Sequence, residues 1–189
     1  MDLSIIIVNW NTEELLRNCL RSVYGTIRDL AFEVIVVDNA SSDGSVAMLK
    51  VEFPHARRIE NYENRGFAAA NNQAFRVMNG RYALLLNSDA VLTEGAVGEL
   101  HAFMEDHPEA VMACGQLVNP DGSKQNSIAV FPTLLTLLVN VPLLETLFPD
   151  RYPSKRREYR HPIEVDSCVG ACMIVRKSAI DGVGGFDER

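Results

Sequence analysis

Basic residues are fewer than acidic residues in this sequence. It carries 18 lysines and arginines against 25 aspartates and glutamates, a formal net charge of −7. A protein that holds nucleic acid without regard to base sequence needs an excess of lysine and arginine to neutralise the phosphates. The charge balance therefore predicts that nucleic acid is not a partner.

Cysteine is also scarce. The four cysteines form no C-x-x-C pair and no zinc-type spacing with histidine. We interpret all four as reduced, partly buried residues of a cytoplasmic protein, and Cys168 and Cys172 as packing residues on one predicted strand. No uninterrupted apolar run is long enough to span a bilayer, and no basic region precedes the first apolar run, so no signal peptide is predicted.

Glycine-rich phosphate loops are missing where a nucleotide-binding sheet often carries one. The turn after the first apolar run is Asn9-Trp10-Asn11-Thr12, which lacks the G-x-G-x-x-G spacing, and no Walker A sequence occurs. A phosphate ligand would therefore need another positive partner. A divalent cation held by a carboxylate is the simplest choice for an acidic protein, because Mg²⁺ and Mn²⁺ bridge carboxylates to phosphates.

What the sequence does contain is an alternation of apolar runs with helical periodicity. Strands are predicted over residues 3–9, 32–40, 57–61, 81–87 and 110–118. The intervening helices are predicted to begin at Asn11 (with Glu14 as capping-box partner), at Ser42 or Asp43, at Gly66, and at Thr93 or Glu94. This order is typical of βαβ units and predicts an α/β fold with a mainly parallel sheet.

The pattern weakens after the strong turn signal at residues 119–122. Residues 131–148 have two interpretations: a helical hairpin that covers the sheet, or a segment at a membrane surface. In the second, the nearby Lys155, Arg156, Arg157 and Arg160 would meet anionic lipids. Residues 164–177 are predicted to form one long strand, or two strands with a bend at Gly170.

Polar residues stand where three of the predicted strands end. They are Asn9, the pair Asp38-Asn39, and the cluster Asn87-Ser88-Asp89. Each alone is explained by a turn or a helix cap. Because ligands of open parallel sheets bind at the carboxyl ends of the strands, the three together predict a binding site, with Asp89 as the metal ligand. A plain turn remains the alternative for Asn87-Ser88-Asp89.

Five stretches of the chain, in order, resemble family 2 glycosyltransferases with a GT-A fold. They are SIIIVNWNTEELLRNCLRSV, FEVIVVDNASSDGS, NRGFAAANNQAF, YALLLNSDAVL and VGACMIVRKSAIDGVGGFDE. The nearest likeness is to bacterial members that resemble rhamnosyltransferases of cell-surface polysaccharide synthesis. The resemblance implies a GT-A (Rossmann-like) three-layer sandwich, one domain over residues 1–189. Residues 1–122 would be its nucleotide-binding half and residues 123–189 the start of its acceptor-side half.

The resemblance also implies a donor site for a nucleoside diphosphate sugar, such as a UDP- or dTDP-sugar. Asp38 would contact the base or ribose, and Asn9 and Asn39 would lie beside it. The donor-side segment of the family matches Asn64, Arg65 and Gly66.

The D-x-D position of the family is occupied by Asn87-Ser88-Asp89. Only its last carboxylate is kept, so the resemblance implies that Asp89 holds the divalent metal, Mg²⁺ or Mn²⁺. Gly170, Ala171 and Cys172 match the stretch near the transferred sugar and the acceptor.

The implied reaction is a metal-assisted, inverting transfer of the sugar to a saccharide or lipid-linked acceptor. The enzyme would be cytoplasmic, with a peripheral position at the inner face of the cytoplasmic membrane as an alternative. The family's catalytic base follows the GGFDE turn, so the resemblance implies a chain that stops before it and assigns no base to Asp187 or Glu188. The alternatives are a non-catalytic nucleotide-sugar binding domain and a sugar nucleotidyltransferase, which would need a glycine-rich basic loop after the first strand.

Overall fold

The structure, a computed structural model, describes residues 1–133, 138–149, 151–154, 159 and 161–189. The first half of the chain alternates strands with helices, as predicted. Its elements are β1 (Leu3–Asn9), α1 (Glu13–Thr26), β2 (Phe32–Asp38), α2 (Ser45–Glu52), β3 (Arg57–Glu60), α3 (Gly66–Phe75), β4 (Tyr82–Asn87) and α4 (Ala96–Asp106). The later elements are β5 (Met112–Cys114), β6 (Ile128–Ala129), α5 (Val141–Leu147), β7 (Ser167–Cys168), β8 (Cys172–Arg176) and α6 (Lys177–Val183).

The central sheet has six strands in the order β3-β2-β1-β4-β8-β5. Strand β1 runs parallel to β2 and β4, β2 runs parallel to β3, and β8 runs antiparallel to β4. The predicted α/β fold with a mainly parallel sheet is therefore confirmed. In the register, Asn9 pairs with Asp38 and Val8 pairs with Asn87, so the carboxyl ends of three strands are level with one another.

The apolar runs form strands that are buried on both faces. Successive residues Ile5, Ile6 and Ile7 are at most 1% exposed, and so are Leu84 and Leu85. Neighbouring residues of a strand point to opposite faces, so both faces must be covered. Helices α1 and α2 pack together, and α3 packs against β1 and β2. The connections from β1 to β2 and from β2 to β3 step toward one edge of the sheet, whereas the connection from β3 to β4 steps toward the other edge. Because such crossovers are right-handed, α3 lies on the face opposite to α1 and α2, and the fold has three layers.

The chain divides into two compact units. Unit 1 comprises Met1–Ala113 and Gly170–Arg189, and unit 2 comprises Cys114–Val169. Unit 1 contains the parallel strands and helices α1 to α4. Unit 2 contains the small antiparallel sheet of β6 and β7, helix α5, and the predicted turn at residues 119–122, where the Gly122 amide donates to the Asn119 carbonyl.

Two predictions for unit 2 fall partly outside the described residues. Of the segment 131–148, residues 134–137 are not described, and the structure assigns helix α5 to its end. The four basic residues Lys155, Arg156, Arg157 and Arg160 also lie outside the described residues. Within the described ranges, no helix combines the length and the apolar character needed to cross a bilayer.

The predicted caps of α1 and α2 are wrong. Asn11 has a left-handed backbone (φ 55°), and its side chain accepts a hydrogen bond from the Ser42 amide across 2.7 Å instead of capping α1. Asparagine tolerates this backbone conformation because its short polar side chain bonds locally. Glu14 pairs with Arg17. The residue before α2 is Gly44, although the predicted Asp43 does accept a hydrogen bond from the Ser45 amide.

Other boundaries also differ from prediction, and one open alternative is decided. Helix α4 begins at Ala96, after Gly95 with φ 81°, so Thr93 and Glu94 precede the helix. The strand predicted over residues 110–118 is confined to Met112–Cys114, where unit 2 begins. Residues 164–177 form two strands rather than one, with the break at Gly170, as one of the two interpretations predicted.

Candidate functional site

A chain of hydrogen bonds joins the ends of β1, β2 and β4. The Asn9 amide nitrogen donates to Asp38 Oδ1 across 2.8 Å, and the Ser41 backbone amide donates to Asp38 Oδ2 across 2.9 Å. The Thr12 hydroxyl lies 2.6 Å from Asn9 Oδ1 and 2.9 Å from Ser88 Oγ. The structure therefore brings three predicted site residues, one from each strand end, into a single network.

The centre of this network is buried. Asn9 is 0% exposed, and Asp38 and Asn39 are each 2% exposed. A buried carboxylate is costly unless hydrogen bonds satisfy it, and both oxygens of Asp38 accept one. Each carboxylate oxygen has two lone-pair sites, so Asp38 keeps the capacity to accept a further hydrogen bond from a ligand. Its orientation is set before any ligand arrives.

A second branch connects the end of β2 to the start of α3. The Asn39 amide nitrogen donates to the Gly66 carbonyl across 3.3 Å, and Asn64 Oδ1 accepts from the Gly66 amide across 2.9 Å. Gly66 has φ +77°, a conformation that favours glycine. Arg65 is exposed, and its guanidinium makes no ion pair with any residue that the structure describes. This turn presents an available positive charge beside the network.

The Asn87-Ser88-Asp89 cluster differs from the buried network in its exposure. Asp89 is exposed and accepts no hydrogen bond from the described part of the chain. The Asn87 backbone amide donates to the Ala171 carbonyl across 3.0 Å, and the Cys19 thiol lies 3.5 Å from the Asn87 carbonyl. Burial, with a smaller contribution from the negative charge of Asp89, raises the pKa of Cys19 to about 12. The carboxylate of Asp89 is therefore open to solvent, and the nearby thiol of Cys19 is neutral.

The predicted sugar-side residues, Gly170, Ala171 and Cys172, lie next to the Asn87-Ser88-Asp89 cluster. They differ in which of their atoms are near it. The Ala171 carbonyl binds Asn87, and a β-carbon at Gly170 would lie 3.7 Å from the Phe67 ring. Cys172 is buried, and burial raises the pKa of its thiol to about 11. The Cys172 side chain therefore packs in the core rather than facing a ligand, whereas Gly170 and Ala171 present backbone beside Asn87.

The metal-ligand prediction can be compared with the donors that are present. Within the described ranges, no three His, Cys, Asp or Glu side chains cluster closely enough to hold a metal ion. Asp89 is a single open carboxylate, and the amide of Asn87 makes no side-chain hydrogen bond to a described residue. These donors do not fit a metal caged by protein alone. They fit the mode in which one carboxylate and the ligand's phosphates share Mg²⁺ or Mn²⁺.

A cavity of about 380 Å³ lies at the opposite edge of the sheet, and its charges are already paired. It is lined by Arg81, Tyr82, Arg176, Lys177, Ser178 and Asp181. Arg81 pairs with Glu105, Lys177 pairs with Asp181, and Arg176 donates to the carbonyls of Met104 and His107 at the end of α4. These contacts stabilise the fold and leave no cation there for an anionic ligand.

Four residues of the network were not predicted. Thr12 and Ser41 each stand three residues after a predicted site residue, Asn9 and Asp38, and both hydroxyls bond Asn9, so a polar residue at that spacing was the available signal. Asn61 donates to Asn39 Oδ1 across 2.9 Å and exchanges two hydrogen bonds with Gln73. Gln73 lies inside a helix, and no sequence pattern distinguishes it from a surface glutamine.

Comparison with known proteins gives a family and several relatives. The family described as glycosyl transferase family 2 matches residues 4–184. The uncharacterized glycosyltransferase YfnE of Bacillus subtilis is 37% identical over 119 residues, covering 61% of this chain and 30% of YfnE. The low-salt glycan biosynthesis hexosyltransferase Agl10 of Haloferax volcanii is 29% identical over 192 residues, covering 99% and 56%. The N-acetylglucosaminyl-diphospho-decaprenol L-rhamnosyltransferase of Mycobacterium tuberculosis is 29% identical over 173 residues, covering 82% and 55%.

Solved structures share the fold at lower identity. Residues 1–349 of TarS from S. aureus match with a TM-score of 0.65 and 19% identity, covering 100% of this chain and 51% of that one. The mannosyltransferase PcManGT from Pyrobaculum calidifontis, in complex with GDP-Man and Mn²⁺, matches with a TM-score of 0.64 and 19% identity, covering 98% and 47%. The chain thus spans 30 to 56% of the length of the curated relatives named above.

Proposed function

Because the chain belongs to glycosyl transferase family 2, we propose that unit 1 binds a nucleoside diphosphate sugar at the carboxyl ends of β1, β2 and β4. We propose further that the sugar is transferred to a saccharide or lipid-linked acceptor of a cell-surface glycan. The observation that carries the proposal is the hydrogen-bond chain from the buried Asp38 and Asn9 through Thr12 to the half-buried Ser88, with the open carboxylate of Asp89 beside it. A turn that served only to reverse the chain would not need this network.

The nucleoside end of the donor is assigned to the buried half of the site. Asp38 accepts from the ribose or base, and Asn9 and Ser41 hold its carboxylate in place, while Asn39 bonds the Gly66 carbonyl beside it. Trp10, directly after Asn9, is 56% exposed and offers an aromatic face on which a base can stack. The solved structure of TarS in complex with UDP-GlcNAc supports a UDP-sugar as the donor, and a dTDP-sugar is the alternative that the resemblance implies.

The diphosphate end is assigned to the exposed half. The guanidinium of Arg65, carried on the turn of Asn64 and Gly66, supplies a positive charge to a phosphate. Asp89, with Asn87 as a neutral helper, would hold Mg²⁺ or Mn²⁺ together with the diphosphate. A metal held there would supply positive charge to neutralise the departing diphosphate. The Mn²⁺ in the related PcManGT structure supports this assignment.

The acceptor side is proposed from the resemblance and from two neighbours of Asn87. Backbone groups of Gly170 and Ala171 line the place where the sugar would lie. Inverting displacement requires a carboxylate that takes the proton of the acceptor hydroxyl. We do not assign this task to Asp187 or Glu188. Glu188 accepts a hydrogen bond from the Asn72 side-chain amide, and Asp187 pairs with Arg189.

Binding of nucleotide with and without metal tests the donor site. We expect UDP, dTDP or the corresponding sugars to raise the melting temperature of the purified protein, and Mn²⁺ to increase the shift, because a ligand of the folded state stabilises it by mass action. At a ligand concentration of 100 Kd, the stabilisation is about 2.7 kcal/mol. If no nucleoside diphosphate shifts the melting temperature under any metal condition, the donor-site proposal fails.

The substitution Asp89→Ala tests the metal assignment. We expect it to abolish the metal-dependent part of nucleotide binding, measured by calorimetry. Asp89 is exposed and makes no hydrogen bond to a described residue, so the free energy of unfolding should change by less than about 0.5 kcal/mol. Asp106→Ala is the matched control, since Asp106 is an exposed aspartate at the far end of α4. Unchanged metal-dependent binding in Asp89→Ala would restore the plain-turn interpretation.

A non-catalytic nucleotide-sugar binding domain is the second candidate. It is favoured by the donor half of the site, which is built from buried contacts that suit binding by themselves. Acceptor-dependent release of nucleoside diphosphate separates the two candidates, because a binding domain releases none. The nucleotidyltransferase alternative lacks support, since the turn after β1 is not glycine-rich and the family match is to glycosyltransferases.

The predicted location also remains a proposal. A cytoplasmic enzyme at the inner face of the cytoplasmic membrane would bind anionic vesicles through Lys155, Arg156 and Arg157. Changing these three residues to Glu should then remove the protein from floating liposomes. Flotation that is unaffected by the change would contradict peripheral binding through these residues.

A further inference from the structure

Unit 2 contains a pair of thiols that the sequence does not place together. The Cys114 thiol hydrogen-bonds the sulfur of Cys168, and both residues are half-buried. Cys114 ends β5 and Cys168 ends β7, far apart in the chain. Cys168 and Cys172 were predicted to be packing residues on one strand, but the break at Gly170 separates them and Cys172 lies in the six-stranded sheet.

The backbone on both sides of this pair is fastened by Ser127, independently of the thiols. The Ser127 hydroxyl accepts from the Leu117 amide across 2.7 Å and from the Gln116 side chain across 2.8 Å. Its carbonyl accepts from the Val169 amide across 2.9 Å. Ser127 is 5% exposed and precedes Ile128, the strand partner of Cys168. One buried serine therefore holds the segment that follows Cys114 against the segment that contains Cys168.

The two thiols are chemically unequal. The hydrogen bond from Cys114 lowers the pKa of Cys168 to about 7, against the opposing effect of burial. By contrast, burial raises the pKa of Cys19 to about 12 and that of Cys172 to about 11. The thiolate is the reactive form of cysteine, so Cys168 is the nucleophile of the pair and Cys114 is positioned to resolve the product.

We propose that Cys114 and Cys168 form a reversible disulfide, with a peroxide as the oxidant. The Cys168 thiolate attacks a peroxide oxygen, the O–O bond breaks, and a sulfenic acid and one water form after protonation of the leaving oxygen. The Cys114 thiol then attacks the sulfenic sulfur, the S–S bond forms, the S–O bond breaks, and a second water leaves. Two thiols and one hydrogen peroxide thus give one disulfide and two waters, and a dithiol reductant reverses the change by exchange.

The position of the pair determines what the bond would do. Unit 2 runs from Cys114 to Val169, so the disulfide links its first residue to its last but one. Joining the two ends of a long segment reduces the conformational freedom of its unfolded state. Oxidation is therefore expected to make unit 2 more resistant to opening and to proteolysis, without new contacts in unit 1.

Peptide mapping of the oxidised protein tests the bond directly. After hydrogen peroxide treatment and alkylation, we expect a linked peptide containing Cys114 and Cys168, two hydrogens lighter than its parts, that disappears with dithiothreitol. Cys168→Ser should abolish the link, and Cys114→Ser should leave Cys168 as a sulfenic acid that dimedone traps. Cys19→Ala, which changes a buried thiol outside the pair, should keep the link.

Two further measurements do not depend on oxidation. Cys168 should alkylate with a half-maximal rate near pH 7, and at pH 7 at least tenfold more slowly in Cys114→Ala, which removes the hydrogen-bond donor. Phenylarsine oxide, which bridges two adjacent thiols and releases water, should bind with a stoichiometry of one and fail to bind either serine variant. Oxidation of Cys168 to sulfinic acid without the link, or equal alkylation rates in the two proteins, would overturn the proposal.

Discussion

At the scale of single residues, the carboxylate of Asp38 shows how the site is prepared before a ligand binds. It is 2% exposed, and each of its oxygens accepts a hydrogen bond, one from Asn9 and one from the Ser41 amide. The family resemblance implied that Asp38 contacts the base or ribose of a ligand. The structure adds that the same side chain also holds the turn after β2.

The substitution Asp38→Asn tests this double role. An amide in place of the carboxylate faces two donors with only one acceptor, so one buried donor loses its partner. We expect the free energy of unfolding to fall by about 1–3 kcal/mol, measured by urea denaturation, together with weaker nucleotide binding. Asp106→Asn makes the same chemical change at an exposed position and should alter neither quantity. Full stability in Asp38→Asn would show that the network is dispensable.

At the scale of elements, Asn72 connects helix α3 to the GGFDE turn. Its Oδ1 accepts from the Phe186 amide across 2.9 Å, and its amide nitrogen donates to the Phe186 carbonyl and to Glu188 Oε1. Gly185 has φ +88°, and a β-carbon there would lie 2.5 Å from Asn72 Oδ1. The turn therefore approaches α3 closely because a glycine and an asparagine face each other.

The substitution Asn72→Asp keeps the shape of this side chain and removes both donated hydrogen bonds. It also places a carboxylate beside Glu188. We expect a loss of about 1–3 kcal/mol in unfolding free energy and faster hydrogen exchange at the Phe186 amide. Asn18→Asp, an exposed position on α1, is the control for the added charge. Protection of the Phe186 amide that is unchanged in Asn72→Asp would contradict the connection.

The approach of β4 to β1 depends on Gly80 in a similar way. A β-carbon at Gly80 would lie 2.6 Å from the Leu3 carbonyl carbon and 2.8 Å from the Tyr82 carbonyl oxygen, both backbone atoms that cannot swing aside. We expect Gly80→Ala to reduce the melting temperature through a loss of about 1–3 kcal/mol.

Gly98 provides the matched comparison for Gly80. It lies inside α4 with no other atom within 4 Å of a β-carbon, so Gly98→Ala should stabilise the protein by about 0.5–1 kcal/mol. Equal effects of the two substitutions on the melting temperature would show that close packing at Gly80 is not the cause.

At the scale of the whole molecule, Glu33 makes stability depend on pH. Burial raises the pKa of its carboxyl, but hydrogen bonds from Ser4 and Asn79 outweigh burial and lower the pKa below 4.5. The Ser4 hydroxyl donates to Glu33 Oε1 across 2.6 Å and accepts from the Gly80 amide across 2.8 Å. The hydrogen bonds of Glu33 and Ser4 thus connect β1 and β2 to the loop that leads into β4.

Because the folded state holds the ionised form of Glu33, its contribution is present above the ordinary pKa of 4.5 and is lost as the pH falls through the lowered value. We expect Glu33→Gln to be less stable than the parent protein by about 1–2 kcal/mol at pH 7. The two stability curves should converge in acid, where the parent carboxyl is protonated. Denaturation series from pH 7 to pH 3 measure this difference, and parallel curves would contradict it.

Much of the fold and the family could be predicted from the sequence. The runs at residues 3–9 and 81–87 are continuous and apolar, and they predicted doubly covered strands that the structure confirms as β1 and β4. The resemblance to family 2 glycosyltransferases is confirmed by the match over residues 4–184. Local patterns suffice here because strand burial and motif order are properties of contiguous residues.

The predictions that were wrong concern side chains that had several partners to choose from. Asn11 was predicted to cap α1, but it bonds the Ser42 amide across the sheet edge. Thr12 precedes α1 and its hydroxyl bonds Asn9 and Ser88 rather than the helix. A short polar side chain takes the hydrogen bond that tertiary contacts place nearest, and sequence distance does not reveal which one that is.

The sequence by itself therefore determined the order of strands and helices, the family, and the polar residues at three strand ends. The tertiary structure alone decided that Asp38, Asn9 and Ser88 share one hydrogen-bond network, that Asp89 stays open beside it, and that Cys114 meets Cys168. The physical reason is how far apart in the sequence the interacting residues lie. Hydrophobic periodicity is written into neighbouring residues, whereas hydrogen bonds and thiol contacts between distant segments exist only once the sheet register and the turns have brought them together.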